Sequence, residues 1–344
     1  MRYEKKTFVN VFLLLMLALC WSFTIFFLKK VLIQWKPFTS VAVRLLLAAG
    51  ILYLVLKIEK RTLLGWHKHW YHYLFMGVFS SALPFSLIAF GVEGVPSTIA
   101  GIIHSTPSLF TALLSHYTSR SEKISREKII GISLGFLGLL TLLVPALIKS
   151  NITNYTGILY ILLASFSYAI GMIYSRTYLT HLPPLIGPIN QLFYGGIIAL
   201  PFAIYFDPIS QFIGTSSQTL TYMLALAFFP TALTFVLYYS ISKRAGATYL
   251  STATLLFPCV TILRRHFFQG EPVSLVLYTG CSFIVIAVLI SSRLISIKPI
   301  MRLFAPRRSR QENRMRLLPS PVMKKEDKSP HSTPLESEID LLQK

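Results

Sequence analysis

Long apolar stretches follow one another along this chain, each about as long as a membrane crossing and separated by short polar breaks. Ten are predicted, at roughly 8–28, 38–56, 72–92, 96–117, 127–148, 155–175, 185–206, 218–240, 246–267 and 273–293. Each is apolar all round rather than striped, as a helix facing lipid must be. A hydrocarbon core takes about 20 apolar residues to cross, and ten such spans with short loops nearly exhaust 344 residues. Backbone groups at that depth have to pair within their own segment, which selects helices, and the alternation of barrel strands is absent. The expected fold class is an all-α membrane protein with ten transmembrane helices.

Blocks one to five return, more loosely, as blocks six to ten. A proline, an apolar run, then a small residue and a glutamate close the fourth block (Pro107, Ser121-Glu122) and again the ninth (Pro258, Gly270-Glu271), at offsets of 151 and 149. The expected units are a first five-helix repeat over 8–148 and a second over 155–293. An odd number of crossings reverses the side of the chain, so the second unit inserts inverted. Inverted repeats are the architecture of secondary transporters, with the solute site near the midplane between the halves.

Charge refines this picture. The chain is 53% hydrophobic and 13% charged, with a formal net charge of +20, whereas a soluble domain carries roughly 25% charged residues. So basic a soluble protein would suggest nucleic acid as a partner. Here the lysines and arginines sit in loops and in a tail, so no nucleic-acid partner is expected. Residues 297–344 form that tail, basic at first and then rich in Ser, Pro, Lys and Glu. It is expected to be disordered, cytoplasmic and attracted to anionic lipid. With both termini inside, fourteen Lys/Arg before the tail lie on the cytoplasmic side and six on the other, which favours that orientation. Trp35, Trp66 and Trp70 fall at span ends, where indoles suit the headgroup layer. Cys20, Cys259 and Cys281 lie far apart in apolar blocks, so no disulfide, metal site or cofactor is expected. The first block is too long for a signal-peptide core, ends in Lys29-Lys30 without a cleavage site, and reads as an uncleaved helix.

Several short motifs carry a resemblance. Ala18-Leu19-Cys20-Trp21-Ser22-Phe23 in the first span is similar to the opening signature of the drug/metabolite transporter superfamily, in its ten-helix EamA branch. Pro37 and Val43-Arg44-Leu45-Leu46-Leu47-Ala48-Ala49 resemble the same family's second helix. Pro107, Glu122-Lys123-Ile124 and Gly131-Ile132-Ser133-Leu134-Gly135-Phe136-Leu137-Gly138 resemble its fourth and fifth. Ser167-Tyr168-Ala169, Pro258, Gly270-Glu271-Pro272 and Gly280 repeat the series. The chain departs at Ser22, where glycine is commoner, and at Arg264-Arg265, where the ninth helix is usually apolar. Within the family it looks most like the S-adenosylmethionine uptake transporters of intracellular bacteria. The resemblance implies a bacterial inner-membrane carrier, not an enzyme, that exchanges S-adenosylmethionine for S-adenosylhomocysteine. An exporter of amino acids, other metabolites or drugs on the same fold remains the alternative, and a non-transporting membrane subunit a remote one.

Ionisable residues inside spans are costly and mark function by default. Arg44 lies about seven residues into the second span, roughly 10 Å deep at 1.5 Å per residue. Either it pairs with Glu93 as a structural bridge, or it offers its planar fork to a carboxylate or phosphate of the cargo. Arg264 and Arg265 are expected to snorkel to the headgroups. His104, with Ser105 and Thr106, makes a polar step before Pro107. Asn190-Gln191 occupies the repeat position of Arg44, and Trp21 and Tyr168 are repeat partners. The expected substrate-binding set is therefore Arg44, Trp21, His104, Tyr168, Asn190 and Gln191, acting on a small solute with an anionic group. No Asp or Glu falls in the middle of a span, which argues against drug–proton antiport. Gly131, Gly135 and Gly138 form one smooth helix face for close packing in lipid. The prolines at 107 and 258 either free backbone toward a cavity or simply kink their helices.

Overall fold

The computed structural model describes residues 2–62, 69–118, 126–149, 155–179, 185–245, 247–269 and 275–291. The tail over 297–344, Trp66 and the two glutamate motifs at 122–124 and 270–272 lie outside these residues. Every predicted apolar stretch is mainly helical where it is described, with turns at Phe23, Val92 and 104–106. The first holds α1 (Arg2–Ser22) and α2 (Thr24–Val31), and the second is α3 (Pro37–Ile58). The third holds α4 (Trp70–Gly77) and α5 (Leu83–Gly91), and the fourth α6 (Ser97–Ile103) and α7 (Pro107–Thr118). Then come α8 (Arg126–Lys149), α9 (Tyr155–Tyr178) and α10 (Ile186–Phe206). The last three stretches hold α11 (Ser217–Ala227) with α12 (Thr234–Ala245), α13 (Ala247–Gln269) and α14 (Leu275–Ser291). No strand occurs among the described residues. Among the described residues, seven helical runs are long and apolar enough to cross a membrane.

Breaks in the runs have local causes. At the α1–α2 joint the Ser22 hydroxyl donates back to the Leu19 carbonyl at 2.7 Å, a bond that competes with the helical ladder and bends it. Between α6 and α7, Ser105 and Thr106 donate to the carbonyls of Ile102 and Ile103, and Pro107 then opens the next helix. Proline suits that position because the first helical N–H has no partner to lose. Pro258, its repeat counterpart, lies inside the unbroken α13. One proline breaks its run and the other does not.

Two further joints are π-helical. Val78–Ala82 links α4 to α5, and Phe228–Leu233 links α11 to α12. Wider π turns leave backbone carbonyls off the regular ladder and concentrate at functional sites.

Packing between the two halves is reciprocal. α3 lies along α10 and α8 along α14; α1 packs on α12 and α13, and α9 on α5 and α7. Close approaches depend on missing Cβ atoms. One added at Gly77 would stand 2.8 Å from the Gly195 nitrogen, and one at Gly91 2.8 Å from the Gly157 carbonyl. At one end, loop residues of the two halves clasp each other. Asp207 accepts from the Thr39 N–H at 2.6 Å, in the first turn of α3, where a carboxylate also complements the helix dipole. Gln211 bonds the Lys36 N–H and the Thr39 hydroxyl. Trp35, expected among headgroups, is buried here and donates Nε1–H to Thr215 at 3.1 Å. Trp70 is half exposed at its helix start.

Candidate functional site

A cavity of about 680 Å³, counting its open mouth, lies between the halves. Trp21 and Thr24 reach it from either side of the α1–α2 joint, His104 and Pro107 from the α6–α7 joint, and Tyr168 from mid-α9. Arg44 enters from α3, Phe257 from α13, and Pro230 and Thr234 from the second π segment and the helix it opens. Broken helices thus supply much of the wall, because a break turns side chains and backbone toward the space between helices.

Arg44 is the cation of the site, 3% exposed. Its Nε–H donates to Thr231 Oγ1 at 2.7 Å, its Nη2 reaches the Pro230 carbonyl at 3.4 Å, and its Cζ lies 4.2 Å over the Phe85 ring. These partners, not Glu93, hold it, and Glu93 is exposed in the turn after α5. A guanidinium buried without an opposite charge is expensive. A hydroxyl, a carbonyl and an aromatic face offset part of that cost and neutralise none of the charge. The cavity wall therefore carries a positive charge that its partners among the described residues do not balance.

Its walls are aromatic. His104 meets Tyr168 edge-on at 5.8 Å between centroids and Phe257 at 5.1 Å, and Tyr168 lies 6.1 Å from Phe85. The His104 Nδ1 is buried without a hydrogen-bond partner among the described residues. It stands ready for a polar edge of whatever occupies the cavity.

Four of the six residues expected to bind solute, Arg44, Trp21, His104 and Tyr168, therefore share one cavity. Asn190 and Gln191 do not line it. Asn190 donates to its own helix at the Ile186 carbonyl. Gln191 Nε2 donates to Ser81 at 3.0 Å, and its Oε1 accepts from the Tyr239 hydroxyl at 3.0 Å. Their polar groups are used in packing. The snorkelling expected of Arg264 also gives way: it is 7% exposed, with its guanidinium over Phe23 and Phe26 at 5.4 and 5.2 Å. The Arg265 side chain lies outside the description. Sequence reading missed Phe85, Phe257, Pro230 and Thr231. A signal for the last two existed in Phe79-Ser80-Ser81-Ala82-Leu83, which returns as Phe229-Pro230-Thr231-Ala232-Leu233 at an offset of 150.

Comparison with known proteins agrees with this architecture. The EamA-like transporter family model matches residues 9–144 and again 155–293, so the chain belongs to the EamA-like transporter family. It is thereby a multi-pass membrane protein of a transporter family. It is similar to the uncharacterised transporter YoaV of Bacillus subtilis (strain 168), 23% identical over 71% of this chain and 83% of that one. It is also similar to a probable amino-acid metabolite efflux pump of Salmonella typhimurium, 26% identical over 76% of this chain and 87% of the other. A solved crystal structure superposes with a TM-score of 0.66 at 16% identity, covering 84% of this chain and 99% of that chain. That likeness speaks for the fold alone.

Proposed function

We propose that the chain is a secondary transporter of the bacterial inner membrane. In this reading ten spans form two inverted five-helix halves, both termini are cytoplasmic, and the halves rock around the cavity to expose it to each side in turn. The cargo is a small metabolite with an anionic group. The observation that carries this is Arg44, buried in a cavity between the halves with no carboxylate against it among the described residues. The anion docks on Arg44, and a flat or cationic remainder lies among Trp21, Tyr168, His104 and Phe257. S-adenosylmethionine fits that chemistry, with a carboxylate, a sulfonium and a purine, and exchange for S-adenosylhomocysteine is the mode proposed. The basic tail rests on anionic lipid.

Efflux is the second reading, favoured by the similarity to the Salmonella efflux protein. An amino-acid metabolite also offers a carboxylate to Arg44, and net direction follows from gradients rather than from the fold. Purified protein in liposomes, offered labelled S-adenosylmethionine, S-adenosylhomocysteine, neutral amino acids, an adenine nucleotide and a cationic drug, tests both. Saturable uptake of S-adenosylmethionine, lost in Arg44→Gln, is expected. Uptake of amino acids alone would support the efflux reading, and transport confined to the cationic drug would overturn the anionic cargo.

A further inference from the structure

The two π segments and the two polar residues of α3 and α10 form a crossed pair. Thr231, in the π segment of the second half, accepts from Arg44 of the first half at 2.7 Å. Ser81, in the π segment of the first half, accepts from Gln191 of the second at 3.0 Å. Ser81 and Thr231 are 150 positions apart, and Arg44 and Gln191 are 147. Each half thus reaches across to the hydroxyl in the other's π turn. Thr231 is free to accept because its own proton goes to the Leu226 carbonyl at 2.7 Å, five residues back, a group the π turn leaves available.

The two ties differ in charge and in place. Gln191–Ser81 is neutral, buried and away from the cavity wall, with Tyr239 closing its other side. Arg44–Thr231 is charged, and Arg44 lines the cavity beside Pro230. A neutral hydroxyl and a carbonyl are weak partners for a guanidinium compared with a carboxylate or phosphate. We propose that Thr231 is a positioning residue that stands in for the cargo's anion. In the empty carrier it holds Arg44 and ties the two halves; an arriving anion takes Arg44 away from it and unties them. The proposal rests on Arg44 being the anion contact, as argued above. It explains why the binding cation is also the residue that crosses between halves.

The test needs no knowledge of the cargo. Met172, on the cavity wall, is changed to cysteine in a chain whose Cys20, Cys259 and Cys281 are alanine. The empty, reconstituted protein is labelled with an anionic and, separately, a cationic methanethiosulfonate. Thr231→Val should label faster with both reagents, on the order of tenfold, as removal of one charge-assisted hydrogen bond predicts. Thr231→Ser keeps the hydroxyl and should label at the parent rate. Arg44→Gln breaks the same tie from the other side, so it should speed the cationic reagent alike, and combining it with Thr231→Val should add nothing. Should Thr231→Val not give monodisperse protein, Thr231→Ala with the same two reagents decides. Parent rates in Thr231→Val, or equal acceleration in Thr231→Ser, would overturn the tie. The anion reading fails separately: if Arg44→Gln retains a preference for the anionic reagent, the anion contact lies elsewhere.

Discussion

Gly138 of α8 and Gly280 of α14 face each other so closely that a Cβ on Gly138 would stand 2.8 Å from the Gly280 carbonyl. One on Gly280 would stand 3.1 Å from the Gly138 carbonyl. The contact joins the fifth run of the chain to the tenth. In lipid the two helices gain nothing from hiding apolar surface, so their attraction comes from van der Waals contact and grows as the backbones approach. Glycine permits that approach, and the backbones themselves fill the gap.

Adding a methyl group at this crossing should therefore destabilise the bundle without touching the cavity. Gly280→Ala brings its Cβ to 2.5 Å from a Leu142 methyl as well as against the Gly138 carbonyl. Leu142 can shift and the carbonyl cannot. Overpacking of this kind costs about 1–3 kcal/mol. The expected result is a lower melting temperature in detergent, by several degrees, with the KM of the surviving protein unchanged. An unshifted melting temperature would mean that the two helices are not in tight contact.

The helical stretches could be read from the chain because lipid imposes one rule on every span, and the apolar blocks report it directly. The cavity residues could be read in part. Arg44 was visible as a cation out of place, and Trp21 and Tyr168 as repeat partners. Gln191 shows where that logic stops. The repeat puts it level with Arg44 and facing the other half, but level and facing do not say whether a side chain meets space or a partner. Ser81 and Tyr239 take both ends of its amide. Arg264 was misread for a related reason. Its depth suggested an easy route to the headgroups, and nothing in its neighbours along the chain revealed that Phe23 and Phe26 of the first run cover it.

The two buried arginines should separate on substitution. Arg44→Ala removes the cavity's cation and should abolish transport of an anionic solute at normal protein yield. Arg264→Ala leaves a hole beside Phe23 and Phe26, and should lower yield and, by about 2 kcal/mol, stability, with transport per folded molecule largely retained. Initial rates normalised to protein in the membrane, together with melting curves, distinguish the two. Equal loss of specific transport in both would put Arg264 in the solute path.

The proposed inversion of the second half makes a prediction about sides. Reporter fusions after residue 94 and after residue 122 are separated by the fourth run alone, so they should report opposite faces, the first periplasmic. Alkaline phosphatase activity at 94 with green fluorescence at 122 is the expected pattern. The same face for both would remove the fourth crossing and, with it, the odd count that inverts the second half.

Energetics gives the last expectation. No Asp or Glu occurs mid-span to share a proton with cargo, and the cation of the cavity is an arginine, which stays charged across the physiological range. Transport should therefore respond little to a protonophore and should accelerate when a related solute is loaded on the far side. The Arg44–Thr231 contact supplies the physical reason. Without cargo the halves are tied, so the empty carrier reorients slowly, while exchange lets each half-cycle run with an anion on Arg44. Initial uptake of labelled S-adenosylmethionine into proteoliposomes, with and without internal S-adenosylhomocysteine and with an imposed pH gradient, measures both effects. Stimulation several-fold by the counter-solute and indifference to the gradient are expected. Uptake driven by the gradient alone would move attention to His104, the histidine of the cavity wall. An unperturbed histidine changes charge near neutral pH, and its Nδ1 has no hydrogen-bond partner among the described residues.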